Sequence, residues 1–125
     1  MSTPKHFGLI GHPISHSQSP ALFYQYHPGT KDTYDLIETP DFDEAISIFR
    51  DSYDAINITA PFKEKAFLEA DTLERSCELC GATNLLKKEG NLIKGYNTDI
   101  DGVSRTIASH CGDAQYGRSA LIVGC

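Results

Sequence analysis

Asn57-Ile58-Thr59-Ala60-Pro61-Phe62-Lys63, entered from Ala55-Ile56, is the stretch whose reading decides the fold. The apolar run Ala55-Ile56-Asn57-Ile58 reads as a short buried strand with Thr59 at its end. Pro61 removes a backbone donor and drives Ala60 toward an extended conformation, so the strand stops there. Helix formers follow at once, from Glu64 to Ala70. Strand, tight turn, helix: the arrangement crowds Asn57, Thr59 and Lys63 around the turn. Polar side chains at the carboxyl end of such a strand sit where α/β sheets bind ligands. Two readings stand for the heptapeptide alone. Either these side chains meet a ligand, or Asn57 and Thr59 satisfy loop backbone while Lys63 points into water.

The same order of elements appears upstream. Phe7-Gly8-Leu9-Ile10-Gly11 is an apolar strand ended by glycine, and His12 to Gln18 form a loop of turn residues. Ser19-Pro20 predicts a helix start, with Ser19 as N-cap and Pro20 at the first helical position. That helix runs to Tyr26 and ends near His27-Pro28-Gly29. Its amino terminus presents N–H groups and a positive dipole end to an anion, with the Ser17 and Ser19 hydroxyls beside it. Capping alone is the competing role for Ser19, and a solvated loop position the competing one for Ser17. Thr33 to Glu38 alternate as a second strand. Asp41 with Glu44 has the form of a capping box, and Phe42, Ala45, Ile46 and Phe49 place one apolar stripe on the helix that follows.

Downstream, a helix is expected from about Asp71 to Leu79. Thr83–Lys88 and Asn91–Tyr96 flank Glu89-Gly90 as a hairpin. Asn97-Thr98-Asp99 precedes a helix from about Ile100 to His110, capped by Thr98 or Asp99. Ser119 to Cys125 read as an apolar strand reaching a glycine, which is how a dinucleotide-binding unit opens. The fold class is therefore α/β: a mostly parallel sheet with an antiparallel hairpin and helices on both faces. The closing strand is by itself a weak sign of the start of a Rossmann-type domain, since that unit needs two further glycines and a helix.

At 125 residues the chain is long enough for one core. Eleven basic against seventeen acidic residues leave a net charge of −6, which argues against nucleic acid as partner, although a small anion needs only local positive potential. No apolar run is long enough to cross a membrane and no signal-peptide pattern is evident, so the expected compartment is the cytoplasm. Cys77 and Cys80 form one C-x-x-C without a second close pair, so no metal site is expected and both are read as small buried helix residues.

Four segments in this order resemble the substrate-binding half of shikimate dehydrogenase: Gly11-x-Pro13-Ile14-x-His16-Ser17-x-Ser19-Pro20, the heptapeptide Asn57–Lys63, Gly81-Ala82-Thr83-Asn84 and Gly95-Tyr96-Asn97-Thr98-Asp99. The resemblance implies that Ser17 and Ser19 hold the substrate carboxylate. It implies that Thr59, Asn84 and Asn57 hydrogen-bond ring hydroxyls, and that Lys63 and Asp99 form the catalytic pair. The implied reaction is the reversible reduction of 3-dehydroshikimate to shikimate with NADP, in aromatic amino-acid and chorismate biosynthesis. Oxidation of a hydroxyl needs a positioned base, and either member of a coupled Lys63–Asp99 pair can dominate.

Four positions depart from the resemblance. Ala60 replaces a more usual valine, Thr83 an aliphatic residue, and Cys77 and Cys80 alanines. The resemblance divides the chain into a substrate-binding domain, 1–102, and a linker helix with the first strand of an NADP-binding domain, 103–125. NADP would be held by the remainder of that second domain. Exposed apolar surface and self-association are expected where further helices would pack. A non-catalytic module that binds shikimate without turnover is the alternative reading.

Overall fold

The computed structural model describes residues 3–111 together with Ser119 and Leu121; within them, six strands and five helices follow one another. In chain order these are β1 (His6–Gly11), α1 (Ser19–Tyr26), β2 (Thr33–Glu38), α2 (Phe42–Ser52), β3 (Ala55–Ile58) and α3 (Lys63–Glu69). Next come β4 (Thr72–Leu73), α4 (Arg75–Cys80), β5 (Leu85–Glu89), β6 (Leu92–Tyr96) and α5 (Asp99–Cys111). The strands form one sheet in the order β2-β1-β3-β5-β6-β4. Only β5 runs against the others, pairing antiparallel with β3 and β6, while β1 pairs parallel with β2 and β3, and β4 with β6. The expected mostly parallel sheet with one hairpin is what forms. The strand expected over Ser119–Cys125 lies, apart from Ser119 and Leu121, outside the described residues.

Alternation along the strands builds a core on each face. Ile10, Ile56, Ile58 and Leu86 join the α2 residues Phe42, Ala45, Ile46 and Phe49 in one cluster, with Phe62 and Ala66 from the α3 segment. Leu9, Ile14 and Tyr34 form a second cluster on the opposite face, against Phe23 of α1. The stripe read from the α2 sequence is thus buried as its spacing requires. Its capping box is only half closed. Asp41 Oδ1 accepts from the Asp43 and Glu44 N–H groups, but Glu44 accepts from Thr39 Oγ1 at 3.0 Å instead of returning to Asp41. Thr39 Oγ1 in turn accepts from Asp41 N, so the second half of the box runs through a hydroxyl.

The stretch expected as helix from Asp71 to Leu79 is divided. Asp71 N donates to Ile93 O at 2.8 Å and its carboxylate accepts from Ile93 N at the same distance, while Glu74 N donates to Gly95 O at 2.9 Å. These bonds to β6 draw the segment into strand β4. Glu74 then caps α4 by accepting from Ser76 N at 2.9 Å. Long-range pairing overrides helix propensity here.

Tyr53, at the end of α2, donates its hydroxyl to Asp35 Oδ2 at 2.9 Å. Burial, reinforced by that hydrogen bond and by the Asp35 charge, pushes the Tyr53 phenol from 10.0 up to about 12. A folded-state value above the unfolded one means full stability below pH 10 and progressive loss toward pH 12, because the unfolded chain ionises first. Urea midpoints measured across that window are expected to fall, and Tyr53→Phe to make the fall shallower. The slope is reduced, not abolished, because Tyr34 and Tyr96 are also raised, Tyr34 mainly by burial and Tyr96 mainly by its hydrogen bond to Glu89. An unchanged slope in Tyr53→Phe would refute the assignment.

Candidate functional site

Parallel strands bring several chain segments to one end of the sheet. The loop after β1, the turn after β3 and the segment after β6 all leave at carboxyl ends, and the reversed β5 begins there. Backbone bonds lock these exits together: His12 N to Ala60 O at 3.1 Å, Ile58 N to Asn84 O at 2.7 Å and Asn84 N to Tyr96 O at 3.0 Å. A cavity of about 420 Å³ opens between the first two, lined by Ser17, Ser19 and Thr59 with His12, His16 and Ile14. Gly11 cannot carry a side chain at its edge, since a Cβ would lie 2.4 Å from Thr59 Cγ2 and 2.7 Å from Ile14 Cγ2.

Helix α1 begins one residue differently from the expectation. Gln18 is the N-cap residue and makes no side-chain cap bond, and Ser19 is already helical. The reason lies one turn earlier, where Ser17 Oγ accepts from Ser19 N at 3.2 Å. A hydroxyl that accepts this bond keeps its own proton for an anion. Ser19 is left to face Tyr34, whose phenol is raised by burial while the Ser19 hydroxyl beside it acts the other way. Tyr34 donates to Asn57 Oδ1 at 2.8 Å. Asn57 lines a second recess of about 220 Å³ with Phe7, Phe23 and His27, and is linked to Ser19 of the serine cavity through Tyr34. Tyr34 went unnoticed in the sequence; the available signal was a phenol on the inward phase of an alternating strand, where its O–H needs a partner.

Lys63 and Asp99 meet. Lys63 opens α3 directly after the Pro61 turn, and its Nζ lies 2.7 Å from Asp99 Oδ2 at the start of α5. Their side chains are 37% and 54% exposed, so solvent screens the attraction and leaves both groups open to an incoming molecule. Asn84 engages Thr98, the residue before Asp99. Its Nδ2 donates to Thr98 Oγ1 at 2.8 Å and its Oδ1 accepts from Thr98 N at 3.0 Å, leaving one N–H and one lone pair. The expected cap of α5 is corrected accordingly. Thr98 is engaged by Asn84 and Asp99 by Lys63, and it is Asn97 Oδ1 that accepts from Asp99 N and Ile100 N.

Two departures noted in the sequence explain each other. Thr83 is fully buried and donates to the Sγ of fully buried Cys77 at 3.3 Å, so a hydroxyl among aliphatic neighbours has a partner. Burial raises the Cys77 thiol. Cys80 is corrected: it is exposed at the last position of α4, although its Sγ reaches the Asn97 amide, and Leu79 is exposed on the outer side of the helix.

Fold and site together define an α/β ligand-binding domain with its polar cleft at the carboxyl ends of parallel strands. The family described as shikimate dehydrogenase substrate binding domain matches residues 9–86, and the chain belongs to it. The NADP(+) shikimate dehydrogenase of Halothermothrix orenii is 34% identical over 122 residues, covering 94% of this chain and 42% of that protein. That of Hahella chejuensis is 36% identical over 124 residues, covering 94% and 46%. The structure of Thermus thermophilus shikimate 5-dehydrogenase in complex with NADP(H) and shikimate superposes with a TM-score of 0.74 at 28% identity, covering 84% of this chain and 42% of that one. The chain thus spans less than half the length of these relatives.

Proposed function

We propose that this chain is the substrate-binding part of an NADP-dependent shikimate dehydrogenase, which reversibly reduces 3-dehydroshikimate to shikimate in the route to chorismate and the aromatic amino acids. The observation that carries the reading is the 2.7 Å contact between Lys63 and Asp99, formed at the same end of the sheet as the cavity edged by two serines, although neither residue lines that cavity and Asp99 borders a separate recess with Thr98 and Val103. In this reading residues 1–102 form the substrate-binding domain and 103–125 the passage into the nucleotide-binding one. Ser17 and Ser19 receive the ring carboxylate, aided by the positive end of α1. Thr59 and the free amide capacity of Asn84 take ring hydroxyls, and Asn57 acts with them through Tyr34. The Lys63–Asp99 pair holds the hydroxyl that becomes the ketone and moves its proton.

NADP supplies the hydride acceptor when bound. The described residues do not fit its pyrophosphate: the glycine at a strand exit, Gly11, is packed against Thr59 and Ile14 and leaves no cradle for a phosphate. The chain's own part is to bind, orient and exchange a proton. We place the protein in the cytoplasm; no helix among the described residues is long and apolar enough to cross a membrane. Exposed Val103 and Ile107 on α5 support the proposal of self-association.

Isothermal titration of the 125-residue chain with shikimate tests the binding reading. Saturable heat is expected, weakened about tenfold or more by Lys63→Ala, since a hydrogen bond from a charged donor contributes about 1.5–3 kcal/mol. No heat from the intact chain would overturn the reading, and a Lys63→Ala titration indistinguishable from it would overturn the site assignment.

A further inference from the structure

Asn97 has no amide capacity left for a ligand. Its Oδ1 accepts from Asp99 N at 2.9 Å and Ile100 N at 3.4 Å. Its Nδ2 donates to Ala82 O at 3.1 Å and to Cys80 Sγ at 3.2 Å. Two donors and two acceptor sites are the full inventory of this side chain, and it is 6% exposed. The same loop reaches the other partner, because Thr83 N donates to Lys63 O at 2.9 Å. A closed circuit results, from Lys63 through Thr83 and Ala82 to Asn97, on to Asp99, and back across the ion pair.

We propose that Asn97 is a positioning residue: its amide fixes the start of α5 against the loop 81–84 and so keeps the Asp99 carboxylate within hydrogen-bond reach of Lys63. The physical need is plain. A half-exposed ion pair has little net strength of its own, so its geometry has to be imposed by the backbones that carry the two side chains. Thr83 imposes it on Lys63 and Asn97 on Asp99. The Asn84–Thr98 bonds provide a second tether for α5, so removal of Asn97 loosens the carboxylate without releasing the helix. The geometric assignment is independent of chemistry; its consequence for turnover rests on the function proposed above, where a misplacement of about 1 Å costs about 10²-fold in rate.

The test reads the Lys63 ammonium directly, as the ¹Hζ–¹⁵Nζ cross-peak of ¹⁵N-labelled chain at low temperature, identified by its loss in Lys63→Met. Bonding to Asp99 slows solvent exchange and makes the peak visible. It is expected in the unmodified chain and in Asp41→Ala, which removes the cap of α2 and controls for lost stability. It is expected to vanish in Asp99→Asn and in Asn97→Ala. A peak retained in Asn97→Ala, or absent from the unmodified chain, overturns the proposal. In the complete enzyme, Asn97→Ala is expected to lower kcat by about 10²-fold with KM for shikimate changed less than about threefold. Loss of the peak with kcat unchanged would leave the positioning assignment standing and sink the reading of Lys63 and Asp99 as the reacting pair.

Discussion

Lys63→Met is expected to lower the rate of shikimate oxidation by the complete enzyme by about 10²–10⁴-fold, the range supplied by a positioned acid or base. Asp99→Asn should fall in the same range. Both residues occupy the first position of a helix, with opposite electrostatic consequences. The amino-terminal end of α5 favours the Asp99 carboxylate, whereas that of α3 opposes the Lys63 cation. Their 2.7 Å contact offsets this opposition and directs the ammonium at the Asp99 carboxylate. Groups acting as one unit give non-additive losses, so the double variant should be little slower than the worse single one. Initial rates of NADPH formation measure all three. A loss below about threefold for Lys63→Met, or losses that multiply, would remove the pair from the proposed chemistry.

The parts of the fold legible in the sequence were those with local causes. The α2 stripe of Phe42, Ala45, Ile46 and Phe49, the break at Pro61 and the turn at Gly90 each depend on residues within a few positions. Strand β4 has two residues and exists because β6 accepts and donates to the backbone around it, which no local window reveals. Side-chain partners behaved the same way. The Lys63–Asp99 pair spans 36 positions and the Tyr34–Asn57 bond 23, so the sequence offered candidates without their pairings. Order of segments, through the family resemblance, brought Lys63 and Asp99 together in advance. It did not place Asn57 with Tyr34, nor show that Asn97 rather than Thr98 caps α5, because those outcomes depend on which hydroxyl or amide reaches a neighbour first.

Phe49→Ala is expected to destabilise the chain by about 3–5 kcal/mol, the usual cost of emptying an enclosed aromatic site. Phe49 is completely buried, packed in the cluster that contains Ile10, Ile56 and Leu86, with Lys88 Nζ 5.4 Å from its ring centroid. Its neighbours come from three hydrogen-bonded strands, β1, β3 and β5, which cannot close over the vacated volume without breaking register. Leu68→Ala, at a residue 80% exposed, is the contrast and should change stability by less than about 0.5 kcal/mol. Urea unfolding followed by circular dichroism decides; a Phe49→Ala loss under about 1 kcal/mol would contradict the enclosed packing. The cavity edged by Ser17, Ser19 and Thr59 draws on the other face, through Leu9 and Ile14. Carboxylate binding by the folded Phe49→Ala fraction is therefore expected to change less than stability, because the sheet separates Phe49 from the serine cavity, whereas Lys63 sits on α3, which packs in the Phe49 cluster through Phe62 and Ala66.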